Sequence, residues 1–210
     1  MIREAEHREE SVTLLLESDL SSYSDEAYEA DLCLLPQQRR EKAMNYRFLA
    51  DRKRSVKAYM LLWDGLRQDF DLTEAPVFCF EEHGKPFLRD HPEIYFNLSH
   101  TGNAVLCALG RQPVGVDIEM IERGGYERLL SVFSDAEQAE ITQAEHPEIR
   151  FTELWTRKES FIKLTGDGLV STRALREIPT QDTDSVHFET VVREADGFSY
   201  SWCQWKPDKP

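Results

Sequence analysis

The sequence predicts an α+β fold, in which strands and helices are mixed without the regular βαβ alternation of a doubly wound sheet. Four short apolar segments, each bounded by Gly, Pro, Asn or His, follow one another between residues 77 and 120. Two longer segments, one before them and one after them, carry apolar residues at helical spacing. Residues 186–205 alternate like the strands of an edge hairpin.

The individual elements follow from the same patterns. A short apolar strand is expected from Ser11 to Leu16. One long helix is expected from Pro36 to Leu66, because proline suits a first helical turn and Gly65 suits the end. The remaining expected elements are strands at 77–80, 94–98, 104–109, 114–120, 186–192 and 199–205, and helices at 134–144 and 150–165.

The composition is that of an ordinary globular protein with a large negative charge. Of 210 residues, 40% are hydrophobic, and 25 Lys and Arg stand against 39 Asp and Glu, which gives a formal charge of −14. This charge repels phosphate backbones and anionic lipids, so bulk binding to nucleic acid or to a membrane is not expected. An anionic ligand therefore requires a local basic cluster.

Two further features predict a cytoplasmic protein. The N-terminus lacks the basic-then-apolar order of a signal peptide, and the sequence has no run of about 18 apolar residues that could span a bilayer. The cysteines lie far apart and form no C-x-x-C pair, which predicts free thiols in a reducing compartment. These cysteines are Cys33, Cys79, Cys107 and Cys203.

A local basic cluster occupies residues 37–57, where eight basic residues stand against two acidic ones, a net charge of +6. On a helix, Arg39 and Lys42 are three residues apart and could hold one phosphate. Arg54 and Ser55 could approach the same phosphate from a neighbouring turn. The alternative is a solvated basic helix face without a ligand.

The segment PVGVDIEMIE predicts a pair of carboxylates on one strand face. The strand period of two places Asp117 and Glu119 side by side, opposite Val114, Val116 and Ile118. Two adjacent anions repel each other, whereas a hard cation such as Mg²⁺ binds oxygen ligands and would turn the pair into a metal site. The alternative is an exposed strand face with solvated acids.

The segment FTELWTRKESFIKLTGDGL predicts a helix with an unusual lysine. Lys158 falls near the middle of an apolar stripe, where a charged group needs a partner or an anionic ligand. Glu159 and Lys163 lie one turn apart at its edge, and the alternative for them is a surface ion pair. The stripe consists of Phe151, Leu154, Trp155, Phe161 and Ile162.

Three shorter signals complete the set. Lys85 lies in a Gly-Lys-Pro turn, and Ser99 and His100 end a short strand, so these side chains could donate to phosphate oxygens. In FSDAE, Ser134 and Glu137 have the spacing of a capping box, in which the glutamate reaches back to the first amide of a helix.

Taken together, these segments resemble the 4′-phosphopantetheinyl transferases of the surfactin-synthetase-activating (Sfp-like) type. The resemblance covers residues 36–170 and rests on four motifs in the family's order, G-K-P at 84–86, F-N-x-S-H at 96–100, V-G-V-D-I-E at 114–119 and W-x-x-K-E-S-x-x-K at 155–163. It implies two similar α/β halves related by a pseudo-twofold axis, residues 1–112 and 113–210. The similarity of residues 52–66 to residues 157–169 fits such a duplication.

The resemblance also implies a role for each candidate residue. Asp117, Glu119 and Glu159 would bind Mg²⁺, or Mn²⁺ in its place, beside the pyrophosphate of coenzyme A. Lys163 would contact that pyrophosphate, and Glu137 would be the general base. The implied coenzyme A-binding residues are Arg39, Lys42, Arg54 and Ser55 at the adenosine 3′-phosphate, with Lys85, Ser99, His100 and Lys158 elsewhere in the site.

The implied reaction transfers the phosphopantetheine arm of coenzyme A to a serine hydroxyl of an acyl or peptidyl carrier protein and releases 3′,5′-ADP. A monomeric enzyme is expected. Two alternatives remain open at this point. One is a Mg²⁺-dependent nuclease, because paired acids with a nearby lysine also serve phosphodiester cleavage. The other is a noncatalytic module that binds coenzyme A or a carrier protein.

Overall fold

The structure, a computed structural model, describes residues 2–5, 12–168 and 171–207. Ser11, with which the first expected strand begins, lies outside these ranges. Within them, no helix has the length and apolar content that crossing a membrane requires. All four cysteines are free thiols, as the sequence predicts.

The described residues form an α+β fold, which confirms the predicted class. The strands are β1 (Ile2–Ala5), β2 (Thr13–Glu17), β3 (Phe78–Phe80), β4 (Pro86–Leu88), β5 (Tyr95–Thr101), β6 (Ala104–Gly110), β7 (Val114–Met120), β8 (Val186–Arg193) and β9 (Phe198–Trp205). The α-helices are α1 (Asp25–Leu34), α2 (Gln37–Met44), α3 (Leu49–Phe70), α4 (Asp135–Gln143), α5 (Pro147–Thr165) and α6 (Thr172–Glu177).

The chain divides into two compact units. The first comprises residues 1–80 and 86–112, and the second comprises residues 81–85 and 113–210. The expected halves placed Lys85 in the first unit, whereas residues 81–85 group with the second. Lys85 reaches the C-terminus of α5, where its ammonium donates to the carbonyl of Leu164 at 2.7 Å.

The first unit packs the long helix α3 against an antiparallel sheet with strand order β1-β2-β6-β5. Its core is one large apolar cluster that includes Leu15, Tyr59, Leu62 and Leu109, all at most 1% exposed. A separate hairpin of β3 and β4 completes the unit.

The single long helix expected from Pro36 to Leu66 is two helices. The chain leaves the helical conformation after α2 and is extended at Phe48, and α3 then continues past Gly65 to Phe70. Gly65 does not end the helix because it serves packing: a side chain there would collide with Leu15 on β2 and approach Leu109 on β6. The short helices α1 and α6 were also missing from the sequence-based expectations.

The second unit packs α5 against an antiparallel sheet with strand order β7-β9-β8. The strand β7 has the bounds that the sequence predicts. Gly115 on β7 lies against the backbone of α5, because a Cβ at this position would overlap the carbonyl oxygen of Ser160. This close approach brings the side chains of β7 and α5 into contact on either side of Gly115.

Replacing Gly115 by Ala is expected to lower the free energy of unfolding by about 3 kcal/mol, the upper end of the usual cost of overpacking, because the added methyl group meets backbone atoms that cannot rotate away. The matched control is Gly124→Ala, since no atom lies within 4 Å of a Cβ at Gly124. Chemical denaturation of the two variants measures the difference. Equal stability of both would contradict the close approach of β7 and α5.

Candidate functional site

The carboxylate cluster predicted from the sequence forms where α5 crosses β7. Asp117 on β7 is only 3% exposed, which excludes the solvated strand face as its environment. The ammonium of Lys163 on α5 lies 2.6 Å from Asp117 Oδ1. Glu119 follows two residues later on the same strand face and is partly buried.

Glu159 faces the same cluster from α5, and its electrostatics favour a bound cation. Burial raises the pKa of Glu159, the negative charge of Asp117 raises it further, and Lys163 lowers it in part. The two carboxylates therefore repel each other across the helix–strand contact. Lys163 is the cation that partly offsets this repulsion.

The fit of a metal ion to this cluster rests on the chemistry of its donors. Among the described residues, no group of three carboxylate, histidine or cysteine side chains is arranged to hold a metal ion. Mg²⁺ usually needs fewer protein ligands, because one or two carboxylates suffice when substrate phosphates and water supply the other oxygens. The neighbouring carboxylates of Asp117 and Glu159 meet that requirement.

Lys158 is fully buried, as its place in the apolar stripe predicts. Its ammonium lies 3.1 Å from Glu137 Oε2 and donates to the carbonyls of Leu175 at 2.9 Å and Ile178 at 3.0 Å. An ammonium has three hydrogens, and these three acceptors account for them. The charge of Lys158 is therefore used inside the protein, and this geometry does not support the expected contact with coenzyme A.

Replacing Lys158 by Met is expected to lower the free energy of unfolding by about 3–5 kcal/mol, because Glu137 and two buried carbonyls lose their partner. Lys206→Met is the control, since the Lys206 side chain is 34% exposed and an ion pair of this kind contributes at most about 1 kcal/mol. Urea denaturation compares the two. A Lys158→Met protein as stable as the control would argue against the buried pair.

Glu137 forms the capping box that the sequence predicts. Its Oε2 accepts from the amide of Ser134 at 2.8 Å, and its own amide donates to the Ser134 hydroxyl. Burial alone would raise the pKa of Glu137, but hydrogen bonds from Thr180 and Ser134 and the charge of Lys158 bring the pKa below its ordinary value. Glu137 is therefore ionised at neutral pH, as a general base must be.

Besides the apolar stripe, whose Phe151, Leu154 and Trp155 pack in an apolar cluster, α5 carries a row of small buried hydroxyl residues. Of the five stripe residues only Leu154 is fully buried, whereas Thr152, Thr156 and Ser160 are all at most 3% exposed. Thr156 exchanges a hydrogen bond of 2.7 Å with Ser201 on β9. Small hydroxyl side chains occupy this face because α5 lies too close to the sheet for larger ones, as the contact at Gly115 requires.

In the first unit, Arg39 and Lys42 lie together on α2. Arg39 is only 6% exposed, and its guanidinium carbon lies 5.6 Å and 5.1 Å from the ring centres of Tyr59 and Phe78. Its Nε has no hydrogen-bond partner among the described residues. Burial lowers the pKa of Arg39, and desolvation followed by the charge of Arg39 lowers that of Lys42. A solvated basic face is therefore wrong for Arg39.

Arg54 and Ser55 lie on α3, beside the hairpin of β5 and β6. Arg54 donates to Asp51 and to the carbonyl of Gly102 in the turn of that hairpin. Ser99 and His100 lie on β5 shortly before this turn, Ser99 buried and His100 exposed. The structure thus connects Arg54 with the hairpin that carries both residues.

Two residues near Glu137 were not anticipated from the sequence. Thr180 donates its hydroxyl proton to Glu137 Oε1 at 2.7 Å. Arg157 on α5 donates to the carbonyl of Thr180 at 2.8 Å and to the hydroxyl of Thr190 at 2.7 Å. Arg157 precedes Lys158 in a noted motif, so its charge was a weak signal, whereas no pattern pointed to Thr180.

Comparisons with known families match almost the whole chain. Residues 113–208 match a model described as the 4′-phosphopantetheinyl transferase superfamily, and residues 22–111 match one described as the N-terminal part of 4′-phosphopantetheinyl transferase. Among curated proteins, the chain is 29% identical over 200 residues to 4′-phosphopantetheinyl transferase Sfp of Bacillus subtilis strain 168, which covers 89% of each chain.

Two other relatives match over shorter stretches. A 4′-phosphopantetheinyl transferase of Bacillus subtilis is 35% identical over 136 residues, 63% of this chain and 60% of the relative. The 4′-phosphopantetheinyl transferase AcpT of Salmonella typhi is 39% identical over 101 residues, 45% of this chain and 52% of the relative. The three alignments therefore span between about half and nine tenths of the relatives.

Proposed function

This chain belongs to the 4′-phosphopantetheinyl transferase superfamily, and from that premise we propose that it transfers the 4′-phosphopantetheine arm of coenzyme A to a serine hydroxyl of an acyl or peptidyl carrier protein, with release of 3′,5′-ADP. It is thus a transferase. The observation that carries the proposal is the partly buried cluster of Asp117, Glu159 and Lys163, which lies inside the stretch that matches the superfamily model.

Mg²⁺, or Mn²⁺ in its place, is the proposed cofactor. Its proposed protein ligands are Asp117 and Glu159, whose oxygen donors are of the kind that Mg²⁺ prefers, and Glu119 on the same strand face is a further candidate. The ion would supply a positive charge that neutralises the pyrophosphate and polarises the reacting phosphorus. The repulsion between Asp117 and Glu159 supports a cation at this position.

Two lysines of the second unit are proposed to bind the pyrophosphate. Lys163 already carries its charge next to Asp117 and would stabilise the negative charge that grows on the leaving phosphate. Lys85 caps the C-terminus of α5, and burial lowers its pKa while Glu81 partly opposes this effect. A desolvated lysine gains from contact with a phosphate, which supports Lys85 as a pyrophosphate contact.

In the first unit, basic residues are proposed to bind the adenosine 3′-phosphate. Arg39 and Lys42 are neighbouring cations whose mutual repulsion and desolvation an anion would relieve. The buried Nε of Arg39 supports this role, because it has no acceptor among the described residues. The remaining proposed nucleotide contacts are Arg54, Ser55, Ser99 and His100.

Glu137 is proposed to take the proton of the carrier serine. The serine oxygen forms a bond to the phosphorus that bears pantetheine, the bond from that phosphorus to the oxygen of 3′,5′-ADP breaks, and the serine proton moves to the carboxylate. The lowered pKa of Glu137 keeps the carboxylate ionised and able to accept the proton.

The experiment that tests the proposal incubates the protein with coenzyme A, Mg²⁺ and a panel of apo acyl and peptidyl carrier proteins, and measures the mass of each carrier. We expect one carrier or more to gain the mass of a single phosphopantetheine group, and this gain to disappear with EDTA or when the acceptor serine is replaced by Ala. The same mixture with DNA in place of the carriers tests the nuclease alternative.

Two results would overturn the proposal. Cleavage of DNA with no carrier modified would favour the nuclease, against which the family matches argue. Binding of coenzyme A with no carrier modified across the panel would leave only the noncatalytic module. The free thiols of all four cysteines fit the proposed cytoplasmic location, and size-exclusion chromatography tests the proposed monomer.

A further inference from the structure

The two oxygens of Glu137 have different partners. Oε2 accepts from the amide of Ser134 and lies 3.1 Å from the ammonium of Lys158. Oε1 accepts from the hydroxyl of Thr180 at 2.7 Å. A carboxylate offers about four acceptor positions, two on each oxygen. The described residues therefore fill Oε2 and leave one position on Oε1.

Thr180 is itself held in place by buried contacts. Thr180 is only 5% exposed, and its carbonyl accepts a hydrogen bond from Arg157 at 2.8 Å. The same guanidinium donates to Thr190 on β8, which ties the segment to the sheet. Lys158 binds the carbonyls of Leu175 and Ile178 just before Thr180. Consecutive cations of α5 thus fix the segment that carries the hydroxyl.

We propose that Thr180 is a positioning residue that orients Oε1 of Glu137 toward the serine of the carrier protein, an inference that rests on the proposed function. The hydroxyl of Thr180 fills one acceptor position of Oε1 and leaves the other for the serine proton. Thr180 neither gains nor loses a proton, because the serine proton goes to Glu137. The arrangement lets one carboxylate both cap α4, through Oε2, and act as base, through Oε1.

The test compares Thr180→Val, which keeps the shape and removes the hydroxyl, with Thr180→Ser, which keeps the hydroxyl. We expect Thr180→Val to lower kcat for carrier modification by about 10- to 100-fold, because a small misplacement of a catalytic group is enough for such a loss. The KM for coenzyme A stays unchanged, and Thr180→Ser restores kcat to within about threefold of wild type. The matched control is Thr142→Val on α4, whose exposed hydroxyl bonds only its own helix.

A double-variant comparison separates positioning from a merely structural role. In a Glu137→Gln background, Thr180→Val should change the remaining kcat by less than about twofold, because the group that Thr180 orients no longer accepts the proton. An unchanged kcat in Thr180→Val, or an equal loss in the two backgrounds, would overturn the inference while the wild-type protein still modifies carriers.

Two further outcomes are also decisive. If Thr180→Val does not fold, Thr180→Ala removes the same hydroxyl with less bulk and carries the same expectation for kcat. If Glu137→Gln keeps wild-type turnover, Glu137 is not the base and Thr180 has nothing to orient, so the inference falls. Failure of the proposed function itself is recognised separately, because the wild-type protein would then modify no carrier in the panel.

Discussion

Replacing Glu159 by Gln is expected to reduce carrier modification by about 10³-fold while the fold stays intact. Charge stabilisation at a metal site is worth several kcal/mol, and each 1.4 kcal/mol corresponds to about a tenfold change in rate. The pKa of Glu159 is raised by burial and by Asp117, so its charged form is disfavoured in the folded protein. Removing that charge should leave the melting temperature equal to wild type or slightly higher.

Asp117→Asn is the companion variant. It should lose activity to a similar degree and lose a little stability as well, because Lys163 gives up its partner at 2.6 Å. Glu148→Gln, in the first turn of α5, is the control and should keep full activity. A Glu159→Gln enzyme with near wild-type turnover would remove Glu159 from the metal site, and a strong drop in its melting temperature would contradict the repulsion with Asp117.

Replacing Glu137 by Gln is expected to reduce turnover by about 10²–10⁴-fold, because glutamine cannot accept the serine proton. The sequence alone indicates little loss of stability, since glutamine also serves in a capping box. The structure changes that part of the expectation. Lys158 is fully buried beside Glu137, so the loss of the opposite charge should also cost about 1–3 kcal/mol.

Ser134→Ala tests the helix-capping role of Glu137 separately from its proposed role as the base. It should cost about 1 kcal/mol of stability and spare most of the turnover, because it removes only the hydroxyl that accepts from the amide of Glu137. Melting temperatures and initial rates of carrier modification, measured below the melting transition of each variant, decide between the roles. A Glu137→Gln enzyme with normal turnover would leave Glu137 as a cap alone.

The parts of the fold that could be predicted are those with a strong local pattern. β7 has the predicted bounds because its apolar residues alternate without interruption from Val114 to Ile118. The boundary between α2 and α3 was missed because Asn45 and Tyr46 are not helix breakers of the strength of Gly or Pro. There the side chain of Arg52 donates to the carbonyl of Tyr46 at 2.8 Å, a contact that a periodicity of apolar residues does not contain.

The candidate site also contains residues that a sequence pattern could predict and residues that no pattern could predict. Asp117 belongs to a carboxylate pair on an apolar strand, and Lys158 lies in an apolar helix stripe. Both could be singled out because a charged residue interrupts the apolar residues around it. The contact between Thr180 and Glu137 could not be predicted in the same way. Thr180 and Glu137 lie 43 residues apart in the chain, and nothing near Thr180 departs from the composition of an ordinary loop.

The hydroxyl-lined face of α5 limits which amino-acid substitutions the interior of the second unit can accept. Thr156, Ser160 and Ser201 are each small enough for the close approach of helix and sheet. The hydroxyls of Thr156 and Ser201 bond each other, and that of Ser160 donates to the carbonyl of Arg157 in its own helix. Alanine at Thr156 or Ser201 would fit but would leave the other hydroxyl without this bond, and leucine would be too large. By contrast, Leu62 and other apolar core residues of the first unit can be exchanged for residues of similar volume. The unit that holds the carboxylate cluster should therefore tolerate fewer substitutions in its interior, and a library of variants selected only for folding should record this difference.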